Sequence, residues 1–201
     1  LIRETLRYFN RTSAIQVATV STLPTGIGLG SSSTMIVGIV NAISTLNGQP
    51  LPPMELAHTS WKIEREILGF AGGIQDQYIA ALGGIQILKV EKNGKVLAEP
   101  LNIKEDIRVE LEHRLVLVYS GKERDSVSII KSQEVDFETK IRIYDAIKEI
   151  GVLSVDLIRT GDVQGLGEAM DEHWKLKKQL SKNISNSYLD DQYFQLKTYH
   201  L

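Results

Sequence analysis

Alternating apolar and polar residues predict short strands in the first part of the chain. The alternation over Ile15–Ser21 predicts one strand. Apolar positions in Ile85–Glu91 and Val96–Ile103 predict two more strands, and the Asn93-Gly94 pair between them is typical of a hairpin turn. A further strand is predicted over Leu111–Tyr119, which contains an unbroken aliphatic run.

Helical periodicity appears between these strands and dominates the last part of the chain. Apolar residues three or four positions apart predict a long helix over Phe137–Thr160, and a second helix after the Gly161-Asp162 break. Earlier helices are expected to end at about Leu46, Leu68 and Leu82. Because the composition changes after residue 121, we expect a first domain over 1–122 and a second, mostly helical domain over 123–201.

The stretch Pro24-Thr-Gly-Ile-Gly-Leu-Gly-Ser-Ser-Ser33 is the strongest candidate for chemistry. Glycines let the backbone approach a ligand closely, and the helix that follows presents unpaired N–H groups, so the expected ligand is phosphate. The alternative is a tight turn in which a serine caps the helix. No lysine precedes the serines, which excludes a Walker A motif, and the third glycine falls one position early for a dinucleotide-binding fingerprint.

Two carboxylates are candidates for the same chemistry. Asp76 follows the second glycine pair, Gly72-Gly73, where it would either cap the next helix or accept a proton from a substrate hydroxyl. Glu64 falls on the apolar stripe of the helix that ends near Leu68. A carboxylate there either lies at the edge of the stripe, belongs to a surface charge cluster, or binds a ligand such as a metal ion.

Composition narrows the classes of function. The 201 residues carry 23 basic and 25 acidic side chains, a net charge of −2, which gives no electrostatic basis for binding nucleic acid or an anionic membrane. The absence of cysteine excludes disulfides, thiolate metal sites and a cysteine nucleophile, and no apolar run reaches transmembrane length. The sequence begins at Leu1 in the middle of a helical pattern, without Met, and stops abruptly at Leu201, so we expect the chain to be a piece of a longer protein.

Two motifs resemble the GHMP kinases, the family of galactokinase, homoserine kinase, mevalonate kinase and phosphomevalonate kinase. The first glycine loop matches the family motif P-x-x-x-G-L-G-S-S-[AS], which is specific, and the second resembles the G-G-x-x-D-Q segment of the sugar kinases. Segments around Glu64, over Gly73–Gly84 and over Trp174–Ser181 resemble the heptose-phosphate kinase branch. The resemblance extends to about Tyr188 and lacks the family's flanking motifs, G-G-x-T-D and G-A-G-G-G-G.

The resemblance implies a fold and a role for each candidate residue. The fold would be a two-layer α+β kinase, with an N-terminal domain like that of ribosomal protein S5 and a ferredoxin-like, mostly helical C-terminal part. Ser32 and Glu64 would bind Mg²⁺, and Asp76 would be catalytic. ATP would lie on the first loop, at Pro24, Gly26, Gly28, Leu29, Gly30, Ser31, Ser32 and Ser33. The substrate would lie against Gly72, Gly73 and Gln75. Arg124 is a further candidate because its guanidinium suits the phosphate of a sugar phosphate, but a charged interdomain loop is the favoured alternative for its segment.

We therefore expect a cytoplasmic kinase that uses ATP and Mg²⁺ to phosphorylate a hydroxyl of a sugar or sugar phosphate. Another small-molecule kinase of the same family is one alternative, and a catalytically silent nucleotide-binding domain is a second. An RNA-binding module is a third, because S5-like domains occur in translation proteins, but the chain lacks a basic stripe. The expected partners include neither nucleic acid nor a membrane, and a homodimer is one option for assembly.

Overall fold

A computed structural model describes residues 1–22, 28–121, 126–134 and 136–198. The elements in chain order are α1 (Ile2–Tyr8), α2 (Ser31–Leu46), α3 (Pro53–Trp61), a π-helical segment (Lys62–Ile67), α4 (Gln75–Leu82), β1 (Gln86–Val90), β2 (Val96–Pro100), α5 (Glu105–Arg114), α6 (Ser126–Glu134), α7 (Phe137–Thr160), α8 (Val163–Leu180) and α9 (Ser187–Thr198). The fold is α+β, with a small sheet in the first half and helices in the described residues after Pro100.

The chain forms two compact units, one built from Leu1–Pro100 and the other beginning at Leu101. The domain boundary expected after residue 122 stays a prediction. Among the described residues, no helix combines the length and the apolarity that crossing a membrane would require.

The core of the first unit lies between α2 and α3. Its buried residues are Ile36, Val37, Val40, Leu56 and Ile63. The apolar residues of α2 recur at helical spacing, so burying them fixes α2 against α3 and the π-helical segment. Since α4 contacts both α2 and α3, the three helices are held in one framework.

The predicted hairpin is confirmed. β1 and β2 pair antiparallel, with Gln86 opposite Pro100 and Val90 opposite Val96. Gly94 in the turn has a φ of 83°, a left-handed conformation that glycine adopts without strain.

The strand predicted over Ile15–Ser21 is wrong. These residues have no regular secondary structure. Val20 is almost fully exposed (96 %). Alternation of apolar and polar residues suits a strand, but a strand forms only when a neighbouring strand provides hydrogen-bond partners. Among the described residues, β1 and β2 pair with each other and not with Ile15–Ser21.

The strand predicted over Leu111–Tyr119 is also wrong. α5 continues to Arg114, and Leu115–Tyr119 has no regular secondary structure. Charged residues one helical turn apart stabilise the helix: Arg108 pairs with Glu105 and Glu112, and Arg114 pairs with Glu110. The apolar run therefore begins only where the helix has ended.

The long helices of the second unit are confirmed. α7 ends at Gly161, whose φ of 75° is typical of a helix C-terminus. Asp162 then caps α8 by accepting a hydrogen bond from the backbone N–H of Gly165, at 2.9 Å. The two helices pack against each other, and Leu166 and Ala169 of α8 are buried.

Candidate functional site

Glu64 is the buried carboxylate of the first unit. Its helix was predicted to be regular to Leu68, but the last part, Lys62–Ile67, is π-helical. The wider turn is closed by a hydrogen bond from the Leu68 N–H to the Ile63 carbonyl, at 3.0 Å. Glu64 is fully buried (0 % exposed) within this segment. Single π-helical turns inside α-helices occur frequently at functional sites, which makes the position of Glu64 informative.

Both oxygens of Glu64 accept hydrogen bonds from neutral side chains. The Ser32 hydroxyl donates to Oε1, and the Ser33 hydroxyl donates to Oε2 at 2.8 Å. The Gln77 amide Nε2 also donates to Oε2, at 2.6 Å, and lies 3.1 Å from the Ser33 hydroxyl. We call Ser32, Ser33, Glu64 and Gln77 the carboxylate cluster. It joins the start of α2, the π-helical segment and the start of α4.

The N-terminus of α2 has the form of an anion site. Gly30 is the N-cap, with a φ of 65°, and no side chain caps the helix there. The alternative of a serine cap is therefore wrong for the described residues, because Ser32 and Ser33 donate to Glu64 instead. The open first turn of a 16-residue helix offers N–H groups and a partial positive charge to a ligand. Pro24 and Gly26 lie outside the described residues.

Asp76 lies beside this helix terminus. It is the second residue of α4 and makes no side-chain cap, so the helix-cap alternative is wrong for it. A Cβ on Gly30 would lie 3.3 Å from the Asp76 Cγ, so the backbone of the first glycine loop packs directly against this carboxyl group. Gly30 is needed there for its left-handed backbone and for this close approach.

Arg65 holds the second glycine loop in place. Its guanidinium donates to the carbonyls of Ala71, at 2.8 Å, and Gly73, at 3.3 Å. Gly72 has a φ of 152°, and a Cβ there would lie 2.5 Å from the Arg65 Cζ. Gly73 in turn packs against the side chain of Gln75. The loop that leads to Asp76 is therefore shaped by one arginine and by two positions without side chains.

The sequence predicts site roles for Ser32, Ser33, Glu64 and Asp76, and the structure places them at the start of α2, in the π-helical segment and at the start of α4. Gln77 and Arg65 were not predicted. The signal for Gln77 was its place directly after Asp76 in a glycine-led motif. The sequence gives no signal for Arg65, because an arginine that binds backbone carbonyls leaves no pattern in a single sequence. Arg124 lies outside the described residues.

The cluster fits one hard cation. Among the described residues, no group of three or more histidine or acidic side chains could hold a metal ion. A site built on Glu64 would therefore combine one carboxylate with the Ser32 hydroxyl, phosphate oxygens and water, which is the donor set that Mg²⁺ takes in phosphate-binding enzymes. Tyr78, the next residue of α4 after Gln77, is buried, and this burial raises the pKa of its hydroxyl.

The chain is similar to known proteins in sequence and in fold. Residues 1–84 match the family model "GHMP kinases N terminal domain". The D-glycero-alpha-D-manno-heptose 7-phosphate kinase of Campylobacter jejuni is 35% identical over 174 residues, which is 86% of this chain and 51% of that protein. A mevalonate kinase of Methanocaldococcus jannaschii is 27% identical over 191 residues, which is 94% of this chain and 57% of that protein.

A solved structure is similar as well. The D-glycero-D-manno-heptose 1-phosphate kinase from Bacteriodes thetaiotaomicron aligns with a TM-score of 0.70 and 29% identity, covering 88% of this chain and 54% of that one. The chain thus spans about half the length of the curated relatives it matches. Residues 1–84 are assigned to the N-terminal domain of the GHMP kinases, and the chain as a whole is similar to heptose-phosphate kinases and to a mevalonate kinase.

Proposed function

We propose that the protein containing this chain is an ATP-dependent kinase that transfers a phosphoryl group to a hydroxyl of a sugar phosphate. The observation that carries the proposal is the buried Glu64 carboxylate, bonded by Ser32 and Ser33 at the open N-terminus of α2, with Asp76 packed against Gly30. Phosphoryl transfer needs phosphate binding, charge neutralisation and one group that handles the acceptor hydroxyl. The three requirements correspond to α2, Glu64 and Asp76.

Phosphate binding falls to the start of α2. The backbone from Gly28 to Ser33 would donate N–H groups to the phosphates of ATP, helped by the helix dipole. Ser32 and Glu64 would hold Mg²⁺, which supplies charge neutralisation for the phosphates when it is bound. Since Ser32 is exposed and Glu64 is buried, the serine is the member of the pair nearer to an incoming ligand.

Asp76 would accept the proton of the substrate hydroxyl as the oxygen attacks phosphorus. Its carboxyl group is half-buried and lies against the Gly30 backbone, and therefore beside the α2 terminus proposed to bind phosphate. Gly72, Gly73 and Gln75 lead to it and would contact the substrate. Arg124 would bind the phosphate already present on the sugar, because a guanidinium matches phosphate oxygens in two hydrogen bonds.

The substrate class is inferred from the relatives. A heptose 7-phosphate kinase and a heptose 1-phosphate kinase are among the proteins similar to this chain. The second candidate substrate is mevalonate, since a mevalonate kinase aligns over 94% of the chain. A cytoplasmic location and a homodimer stay predictions.

Steady-state assay of the full-length protein with ATP and Mg²⁺ tests the proposal. The panel is heptose 7-phosphate, heptose 1-phosphate, galactose and mevalonate, and we expect the heptose phosphates to give the highest kcat/KM. Glu64→Gln should bind the sugar normally but lose Mg²⁺-dependent turnover. Turnover with mevalonate alone would select the second candidate, and nucleotide binding without turnover of any acceptor would reject the kinase assignment.

A further inference from the structure

Gln77 lies inside the carboxylate cluster, and none of the roles above uses its side chain. It is fully buried (0 % exposed). Its Nε2 donates both to the Glu64 Oε2, at 2.6 Å, and to the Ser33 hydroxyl, at 3.1 Å. Its Oε1 is buried and has no hydrogen-bond partner among the described residues.

The orientation of this amide is fixed by its neighbours. Turning the amide over would point Oε1 at the Glu64 carboxylate and set two acceptors against each other. The observed orientation instead leaves Oε1 unpaired, although a buried acceptor without a donor costs about 1–3 kcal/mol. A side chain kept in place at that cost, with both contacts made by one nitrogen, fits a role in positioning better than a role in general packing.

The two oxygens of Glu64 differ in their surroundings. Among the residues that the structure describes, Oε1 accepts a hydrogen bond only from the hydroxyl of exposed Ser32, while Oε2 is held inside the protein by Ser33 and Gln77. We infer that Gln77 is a positioning residue that anchors Oε2, so that Glu64 presents Oε1 alone, beside Ser32, to a divalent cation. This inference rests on the proposed kinase function.

The same contact ties the cluster to Asp76. Gln77 and Asp76 are neighbours in the first turn of α4, so the bond from Gln77 to Glu64 joins α4 to the π-helical segment. Loss of the bond would therefore leave Glu64, which is proposed to hold the metal, less firmly positioned. It would also make the spacing between Glu64 and Asp76, which is proposed to take the proton, less well defined. Metal affinity should suffer first, because partners that orient a ligand typically contribute about 10–100-fold to it.

The test is calorimetric titration of the full-length protein with a non-hydrolysable ATP analogue, with and without Mg²⁺. Gln77→Met keeps the length of the side chain and removes the donor. We expect the Mg²⁺ affinity of the nucleotide complex to fall about 10–100-fold while the affinity for metal-free nucleotide stays within about twofold. Gln86→Met is the matched control, because it makes the same change of side chain in the same unit and removes an Nε2 bond to the Gly83 carbonyl, away from the carboxylate cluster.

The outcomes separate this inference from the proposed function. Wild-type protein that binds no Mg²⁺–nucleotide would overturn both. Normal binding by wild type, with the same Mg²⁺ affinity in Gln77→Met, would overturn the positioning role alone. An equal loss of metal-free and metal-bound nucleotide affinity would show a merely structural role and also overturn it. Should Gln77→Met fail to fold, Gln77→Asn, which keeps an amide but is one methylene too short, must show the same selective loss.

Discussion

At the residue scale, the carboxylate cluster buries the Glu64 carboxylate without a cationic side chain bonded to it among the described residues. Glu64 is buried, yet its hydrogen-bond donors are two hydroxyls and an amide, and among the described residues it forms no ion pair. Burying a carboxylate is costly unless hydrogen bonds and a positive charge compensate for it. The dipole of α2 supplies part of that charge. The divalent cation proposed at Oε1 would supply more.

Asp76→Asn tests the proton-accepting role. The substitution removes the basic oxygen and keeps the shape, so turnover should fall about 10²–10⁴-fold while the affinity for ATP stays the same. Steady-state assay and nucleotide titration of the full-length protein measure the two quantities. Asp106→Asn, in the first turn of α5, is the matched control and should behave like wild type. Near-normal turnover of Asp76→Asn would remove Asp76 from the mechanism.

Gly72→Ala tests the packing of the second glycine loop. A methyl group there meets the Arg65 guanidinium and sits on a φ of 152°, so the loop must shift or the arginine must release its carbonyls. Such strain costs about 1–3 kcal/mol, which chemical denaturation can measure. Gly38→Ala is the control: nothing lies within 4 Å of the position its methyl group would take, and alanine favours a helix interior. Equal stability of the two variants would contradict the packing argument.

At the scale of elements, the periodicity of the sequence predicted the helices and the hairpin whose contacts lie between residues close together in the chain. α2, α4, α7, α8 and the β1–β2 hairpin follow from spacing, caps and turn residues. The strands predicted over Ile15–Ser21 and Leu111–Tyr119 are not formed. A strand needs a partner strand that is distant in the sequence, and ion pairs one helical turn apart extend α5 to Arg114. The candidate site was predictable where a motif marked it. The π-helical segment and the donors to Glu64 were not, because they depend on how α2, α3 and α4 pack.

His173 of α8 should make the free energy of unfolding depend on pH near neutrality. Burial, with a smaller contribution from Lys177, lowers the pKa of His173 below its usual value of about 6.5. As the pH falls through 6.5 the unfolded chain binds the proton first, so the free energy of unfolding decreases, with a slope of at most about 1.4 kcal/mol per pH unit. Denaturation between pH 5 and 8 should show this slope in wild type and in His113→Gln, but not in His173→Gln. If His173→Gln showed the same slope as wild type, a titratable group other than His173 would be responsible for the pH dependence.

At the scale of the whole molecule, the 201-residue chain spans about half the length of its curated relatives and leaves an apolar segment uncovered. The side chains of Leu115–Tyr119 are all more than half exposed, and the segment belongs to no sheet of the described residues. An exposed apolar segment outside a sheet can add a strand from another molecule. The isolated chain should therefore self-associate.

Val116→Lys tests this expectation in the isolated 201-residue chain. A lysine on such a segment opposes strand addition, so light scattering should report about a tenfold higher concentration for the onset of association, equivalent to ~1.4 kcal/mol. Val152→Lys is the matched control, because both valines are 64 % exposed but Val152 lies on α7, whose backbone is already hydrogen-bonded. If both lysine variants raised the onset equally, added charge would explain the effect. If neither did, association would not proceed through Leu115–Tyr119.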